Sequence, residues 1–299
     1  MMPWVLVDFQ YLCHRAMHSV GNLEFEDMPT GVIFGFFHQL RQVCMDRRIR
    51  SNKVAIFCDS KISLRKKTYP KYKWKREAIR TPEEVERLHI MHQQADELSG
   101  KILPEIGFPV YSQEGLESDD LIAQAAINLS LRADFCNGVI VTADGDLYQC
   151  INSCIHWFDP ARDVYHTEES FRAKEGIDAQ WWGQVKILAG CETDNVEGIR
   201  GIGKKTAIKY LLEELPPTRK AHQDIVSTAG QSVVRRNYPL VVLPHKATKP
   251  LVLYQKPYNP EAFFRYCKKY GLLSFLQQKP AWESFFHGTP FRMRKRGES

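Results

Sequence analysis

Apolar and polar positions change period several times along the first 175 residues. PWVLVDF (3–9) and KVAIFCD (53–59) are short, nearly unbroken apolar runs, each running into an aspartate. Such runs predict strands buried on both faces. Between them, residues 30–46 carry the three-and-four spacing of a helix. GFPVYS (107–112) and GVIVTAD (138–144) predict two more strands, and residues 117–132 a helix between them. Strands alternating with helices predict an α/β fold with a mostly parallel central sheet and flanking helices. After CIHWFDP (154–160) the character changes. Residues 178–215 read as helix with one glycine-rich break, and 216–299 is less regular apart from PEAFFRYCKKYGLLSFL (260–276). The expected division is an α/β domain over 1–175 and a helical region over 176–299. No internal repeat is present, and the tail FRMRKRGES is basic.

Composition narrows the class. Of 299 residues, 43% are hydrophobic and 11% aromatic, enough for a sizeable core. The net charge of +6 permits a polyanionic partner, and its placement matters more than its size. The eight cysteines (13, 44, 58, 136, 150, 154, 191 and 267) contain no C-x-x-C pair, which argues against a zinc ribbon. MMPWVLVDFQ meets Asp8 at once, so neither a signal peptide nor a membrane span is expected. The expected setting is reducing and cytoplasmic, with free thiols, and the expected state is a monomer.

The carboxylates carry the first chemical signal. EGLESDDLIA (114–123) puts Glu117, Asp119 and Asp120 within one helical turn, just before apolar residues. Acidic side chains suit a helix start, yet three so close repel one another. VTADGDLYQ (141–149) sets Asp144 and Asp146 two apart across Gly145, a spacing that also suits a hairpin turn. Counted together, Asp8, Asp59, Glu117, Asp119, Asp120, Asp144 and Asp146 all fall at the carboxyl ends of predicted strands or at the adjoining helix start. In parallel α/β sheets that edge is where ligands bind. So many converging carboxylates cannot all stay ionised without cations. Hard oxygen donors suit Mg²⁺ or Mn²⁺, and two such ions about 4 Å apart can assist phosphodiester hydrolysis.

Two further stretches point to nucleic acid. LRKKTYPKYKWKREAIR (64–80) interleaves Arg65, Lys66, Lys67, Lys71, Lys73, Lys75, Arg76 and Arg80 with Tyr69, Tyr72 and Trp74. Cations alternating with stacking rings suit a single strand, although a solvated charge run is the simpler reading of such a stretch. NVEGIRGIGKKTAIKYLLEEL (195–215) falls short of a P-loop, because Lys205 stands where Ser or Thr must hold Mg²⁺. It reads instead as a helix–hairpin–helix. Gly201 and Gly203 admit a phosphate, while Lys204 and Lys205 add charge.

These pieces, in this order, resemble the 5′ nucleases of phages and bacteria, the flap endonuclease family with its PIN-like fold. The resemblance rests on LVDFQYLCHR, FCDSKISLRKKTYPKYKWKR, GLESDDLIA, VTADGDLYQ and GCETDNVEGIRGIGKKTA, and more weakly on RRNYPLVVLP and FFRYCKKYGL. It implies a metal-dependent 5′→3′ DNA exonuclease and flap endonuclease. Its substrates would be DNA 5′ ends, flaps or RNA primers met in replication or repair. It implies two Mg²⁺ ions, replaceable by Mn²⁺, with Asp8, Asp59, Glu117, Asp119, Asp120, Asp144, Asp146 and Asp194 as ligands or their neighbours. Lys73 and Arg76 match basic residues of a helical arch spanning roughly 60–100, and Arg15 a basic residue near the site. Tyr72 resembles a ring that stacks a terminal base, with Lys71 and Lys75 beside it. The glycine turn resembles a helix–three-turn–helix that can hold K⁺. One position departs: the family reads G-D-x-x-D-N where this chain has Gly190-Cys191-Glu192-Thr193-Asp194-Asn195. Soft sulfur is a poor Mg²⁺ ligand. The rival readings are a PIN-like ribonuclease and a protein that holds junctions without cutting.

Overall fold

Six strands line up because their apolar runs are long enough to be covered on both faces. They are β1 (Trp4–Asp8), β2 (Lys53–Phe57), β3 (Val110–Tyr111), β4 (Gly138–Val141), β5 (Ile155–Asp159) and β6 (Val164–His166). The computed structural model describes residues 2–75, 80–131 and 137–289. The sheet order is β3-β2-β1-β4-β5-β6, parallel except for the β5–β6 pair at one edge. All five residues of β1 are buried, which is why its sequence lacks alternation. The expected strand at 107–112 shrinks to two residues, since Gly107 (φ +102) caps the preceding helix and Pro109 has no N–H to donate.

Alternation within each strand splits the core in two. Val5, Val7, Val54 and Ile56 face one side. There they meet α1 (Phe9–Val20) and α2 (Gly31–Met45). Gly35 lets these two helices touch, as a Cβ there would lie 2.7 Å from that of Ala16. Between β2 and β3 the chain forms α3 (Leu64–Thr68) and α4 (Pro82–Glu97), within the span expected for an arch. Leu6, Ala55, Phe57 and Ile140 face the other side and meet α5 (Ser118–Ser130). Beyond β6 come α6 (Glu168–Glu175), α7 (Trp182–Ala189), α8 (Lys204–Leu211), α9 (Lys220–Val226) and α10 (Thr228–Val241). The chain closes with α11 (Pro260–Lys269), α12 (Leu273–Gln277) and α13 (Lys279–His287).

Both cores cross the expected division at residue 175. Phe263, Trp282 and Phe285 share a cluster with Phe36 and Phe37, while Val185 and Leu188 join the cluster of α5. The pair Asp144-Gly145 opens a 3₁₀ turn, Gly145–Cys150, rather than a β-hairpin. Among the described residues no helix is long and apolar enough to cross a membrane, and the seven described cysteines are free.

Phe263 is fully buried against Phe37, Trp282 and Phe286. Phe263→Ala should therefore cost about 3–5 kcal/mol and lower a single unfolding transition. Urea melts followed by circular dichroism and tryptophan fluorescence check this. A separate early transition would mean that the C-terminal helices fold apart from the sheet.

Candidate active site

The parallel strands deliver their carboxyl ends to one edge, and the acidic side chains collect there. Asp8 closes β1 and caps α1: the Tyr11 N–H donates to Oδ1 at 3.2 Å and Thr142 Oγ1 donates to Oδ2 at 2.8 Å. Asp59 lies two residues past β2, where its Oδ1 accepts from the Ser118 N–H at 2.8 Å. Asp144, three residues past β4, accepts from the Asp146 N–H at 2.7 Å. Asp119 sits in the first turn of α5.

The donors named for Asp8, Asp59 and Asp144 are neutral, and burial is the largest influence on Asp8 and Asp144. Burial, then Asp59, push Asp8 up to about 7. Burial, then Asp146, push Asp144 up to about 6. Burial, Asp144 and Asp8 raise Asp119 well above the usual carboxylate range, with Lys73 opposing. A divalent cation held by Asp8, Asp59, Asp119 and Asp144 would relieve this repulsion with hard oxygen donors, so the chemistry of this donor set suits such an ion.

Other carboxylates already have cations. Asp120 is fully buried in a two-pronged pair with Arg65 (2.6 and 2.7 Å) and also accepts the His245 N–H at 2.8 Å. This corrects the expectation of a metal ligand at Asp120 and of a phosphate-binding role for Arg65, whose Nε donates to the Leu240 carbonyl. Glu117 accepts from Lys73 Nζ and from the Tyr72 hydroxyl, both at 2.9 Å. Tyr72 is buried and also donates to Asp194 at 3.3 Å, so it is a strut within the site and not an open stacking ring. Lys73 takes a left-handed conformation (φ +56) while its N–H donates to the Asp194 carbonyl at 2.9 Å. Such strain in a non-glycine residue is typical of functional sites.

The remaining residues fall around this centre. Asp146, Cys191 and Asp194 form a second donor group, their ligand atoms all within 4.8 Å of one another. Lys186 of α7 enters it, 2.6 Å from Asp146 Oδ1 and 3.6 Å from Cys191 Sγ. Among the described residues this is the group whose ligand atoms lie close enough together to hold an ion, yet with a thiol among its donors and an ammonium in place its chemistry suits a hard divalent ion less well than the all-carboxylate first group. Arg15 turns away, to Gln39 Oε1 and the Pro160 carbonyl. Arg76 lies outside the described residues. Lys71, Lys75, Glu192 and the half-exposed Trp74 line a cavity of about 410 Å³. Gly201 (φ +80) and Gly203 have open space before them, and Gly203 caps α8. Lys205 is exposed, whereas Lys204 pairs with Glu175 at 2.9 Å. Sequence reasoning missed Lys186, Thr142 and the pairing of Arg65. The one signal for Lys186 is a lone cation in the apolar stretch VKILAG.

Comparison with known proteins bears on this arrangement. A family model for the N-terminal, resolvase-like domain of 5′–3′ exonucleases matches residues 3–177. A 5′–3′ exonuclease of Buchnera aphidicola is 26% identical over 88% of this chain and 84% of its own length. The thermostable DNA polymerase I of Thermus aquaticus is 31% identical over 70% of this chain, which spans 24% of the polymerase. Among solved structures, phage T5 5′-exonuclease with bound zinc superposes with a TM-score of 0.65 at 21% identity, covering 82% of this chain and 90% of that one. The Rad2 catalytic core in complex with a DNA substrate gives 0.54 at 15% identity, covering 90% and 87%. At these identities the structural likeness is one of fold.

Two outcomes test the electrostatics. A carboxylate raised in the native state binds more protons there than when unfolded, where its pKa is about 3.9. For Asp8 and Asp144, stability is therefore full at low pH and falls as pH rises from about 4 through 7. The melting temperature in chelator should be higher near pH 5 than near pH 7.5, and Asp144→Asn should flatten that slope. Arg65→Met strands a buried carboxylate and should cost about 3–5 kcal/mol, most of it recovered by adding Asp120→Leu. Urea denaturation decides, and a neutral single variant would remove Asp120 from the structural role.

Proposed function

Because the chain belongs to the 5′–3′ exonuclease family, we propose that it is a divalent-metal-dependent nuclease that cuts DNA from 5′ ends and at 5′ flaps. The observation that carries this reading is the group of buried Asp8 with half-buried Asp119 and Asp144, beside exposed Asp59, at the carboxyl edge of the sheet. Mg²⁺ is the ion its oxygen donors suit, with Mn²⁺ as substitute. When bound, the ion supplies an acidified water and positive charge for the scissile phosphate. The chain's own residues position the rest. Thr142 and the Tyr11 N–H fix Asp8, and the Ser118 N–H fixes Asp59. Lys73, anchored by Glu117, acts on both Asp119 and Asp144. It is placed to meet the non-bridging phosphate oxygens as charge develops, and Arg76 is proposed to share this role. The product strand keeps its 5′-phosphate.

Substrate grip is assigned to two surfaces. Lys71, Lys75 and Trp74 border the site and suit a single strand, with Trp74 in the stacking role that buried Tyr72 cannot take. The turn through Gly201 and Gly203, with Lys205 and, once released from Glu175, Lys204, suits duplex phosphates. K⁺ at that turn, RNA primers as substrates, a monomeric state, a cytoplasmic setting and a role in replication or repair belong to the same proposal. Lys186 and Cys191 in the second donor group favour one alternative, a protein that holds flaps and cuts them weakly or not at all.

A 5′-flap duplex incubated with Mg²⁺ and with EDTA separates the two. Cleavage that needs Mg²⁺ supports the nuclease, and tight binding without cleavage supports the alternative. Asp144→Asn should lower single-turnover cleavage more than tenfold, over 1.4 kcal/mol of barrier, while flap binding persists. Lys205→Ala should instead weaken binding and reduce its salt slope by about one, with cleavage of bound DNA unchanged.

A further inference from the structure

The two donor groups at the sheet edge differ in what neutralises them. In the first, the donors named for Asp8 and Asp144 are backbone N–H groups and a threonine hydroxyl. In the second, the ammonium of Lys186 lies 2.6 Å from Asp146 and 3.6 Å from Cys191 Sγ. Cys191 is buried, 3.9 Å from the Asp146 carboxylate and 3.1 Å from Thr193 Oγ1. We propose that Lys186 is the resident cation of the second group, so that the protein binds one divalent ion at the first group and none at the second.

The argument is one of charge and donor chemistry. An ion entering between Asp146 and Asp194 would have to displace a partly buried ammonium from its carboxylate. It would gain in exchange a neutral thiol, a soft donor that Mg²⁺ and Mn²⁺ bind poorly. The ammonium of Lys186, 2.6 Å from the Asp146 carboxylate, is held there by that ion pair. The first group offers oxygen donors and mutual repulsion, and the ammonium beside it, Lys73, is bonded to Glu117. Lys186 is also placed structurally. It projects from the last turn of α7, and the chain turns at Gly190 to bring Cys191 back beside it. The position filled by a fixed single charge lies beside Asp144, whose neighbour Asp146 it holds. Lys186 is thus a positioning residue that sets the charge of the centre to one mobile dication plus one tethered monocation. This rests on the metal-dependent reading given above.

The test is a Mn²⁺ titration of the metal-free full chain, read by electron paramagnetic resonance of the free ion, so that it depends on no cleavage. The wild type should bind one Mn²⁺ per chain. Lys186→Met combined with Cys191→Asp removes the tethered charge and adds a hard donor, and should bind two. Two ions of similar affinity on the wild type would overturn the inference and leave the metal-dependent reading intact. None on the wild type would overturn both. Cd²⁺ added to the unaltered wild type gives a check that no variant's folding can confound. Absence of a thiolate charge-transfer absorption supports Lys186 as occupant. Such an absorption, lost in Cys191→Ala, would show a metal seated on the sulfur and overturn it.

Discussion

Gathering several carboxylates in a partly buried space is the constraint on which the rest of this structure turns. Parallel strands end on the same side, so Asp8, Asp59 and Asp144 converge whether or not their charges welcome it. The start of α5 adds Asp119. Around this centre described cations pair with the outer carboxylates: Arg65 with Asp120 and, at 3.7 Å, with Glu117, Lys73 with Glu117, and Lys186 with Asp146. The periphery is thereby neutralised, and the unrelieved charge is confined to the middle. A site arranged in this way selects a cation by leaving one position in deficit.

The same pairs tie the centre to the surfaces proposed to grip DNA. Lys73 and Lys75 belong to the basic strip, and their backbones bond to Asp194 and Asn195. The chain then continues from Asn195 through Val196 and Gly198 into the turn at Gly201. The Asn237 amide holds the same stretch by donating to the carbonyls of Ile187 and Glu197. A strand lying on the strip and a duplex lying on the turn would thus be registered against the carboxylates through a few residues of fixed backbone. That rigidity is what positioning of a scissile phosphate requires.

Much of the fold was legible because parallel strands advertise themselves as unbroken apolar runs, and the aspartates that end them mark the site's edge. The limits are equally physical. Asp119 and Asp120 are neighbours in sequence, yet a helix turns about 100° per residue. One therefore faces the centre and the other faces Arg65, a partner 55 positions away that no local pattern announces. Tyr72 reads as an exposed ring because it sits among lysines, but the left-handed turn at Lys73 accompanies a buried Tyr72. The helices at 220–241 have too sparse an apolar stripe to stand out, with four buried residues in the longer one. The packing of Phe263 and Trp282 onto α2 is long-range, and so the expected boundary at 175 cuts through two shared cores.

The central claim is that a divalent cation is what the first group lacks. The most direct measurement is carbon NMR of the aspartate carboxylates through a pH titration, first in chelator and then with saturating Mg²⁺. Without metal, Asp8 and Asp144 should titrate near about 7 and about 6, and Asp144→Asn should remove one signal and lower the other. With Mg²⁺ both should leave that window and stay ionised through it. Ordinary titration of every aspartate near about 4 in the metal-free protein, unmoved by Mg²⁺, would contradict the account.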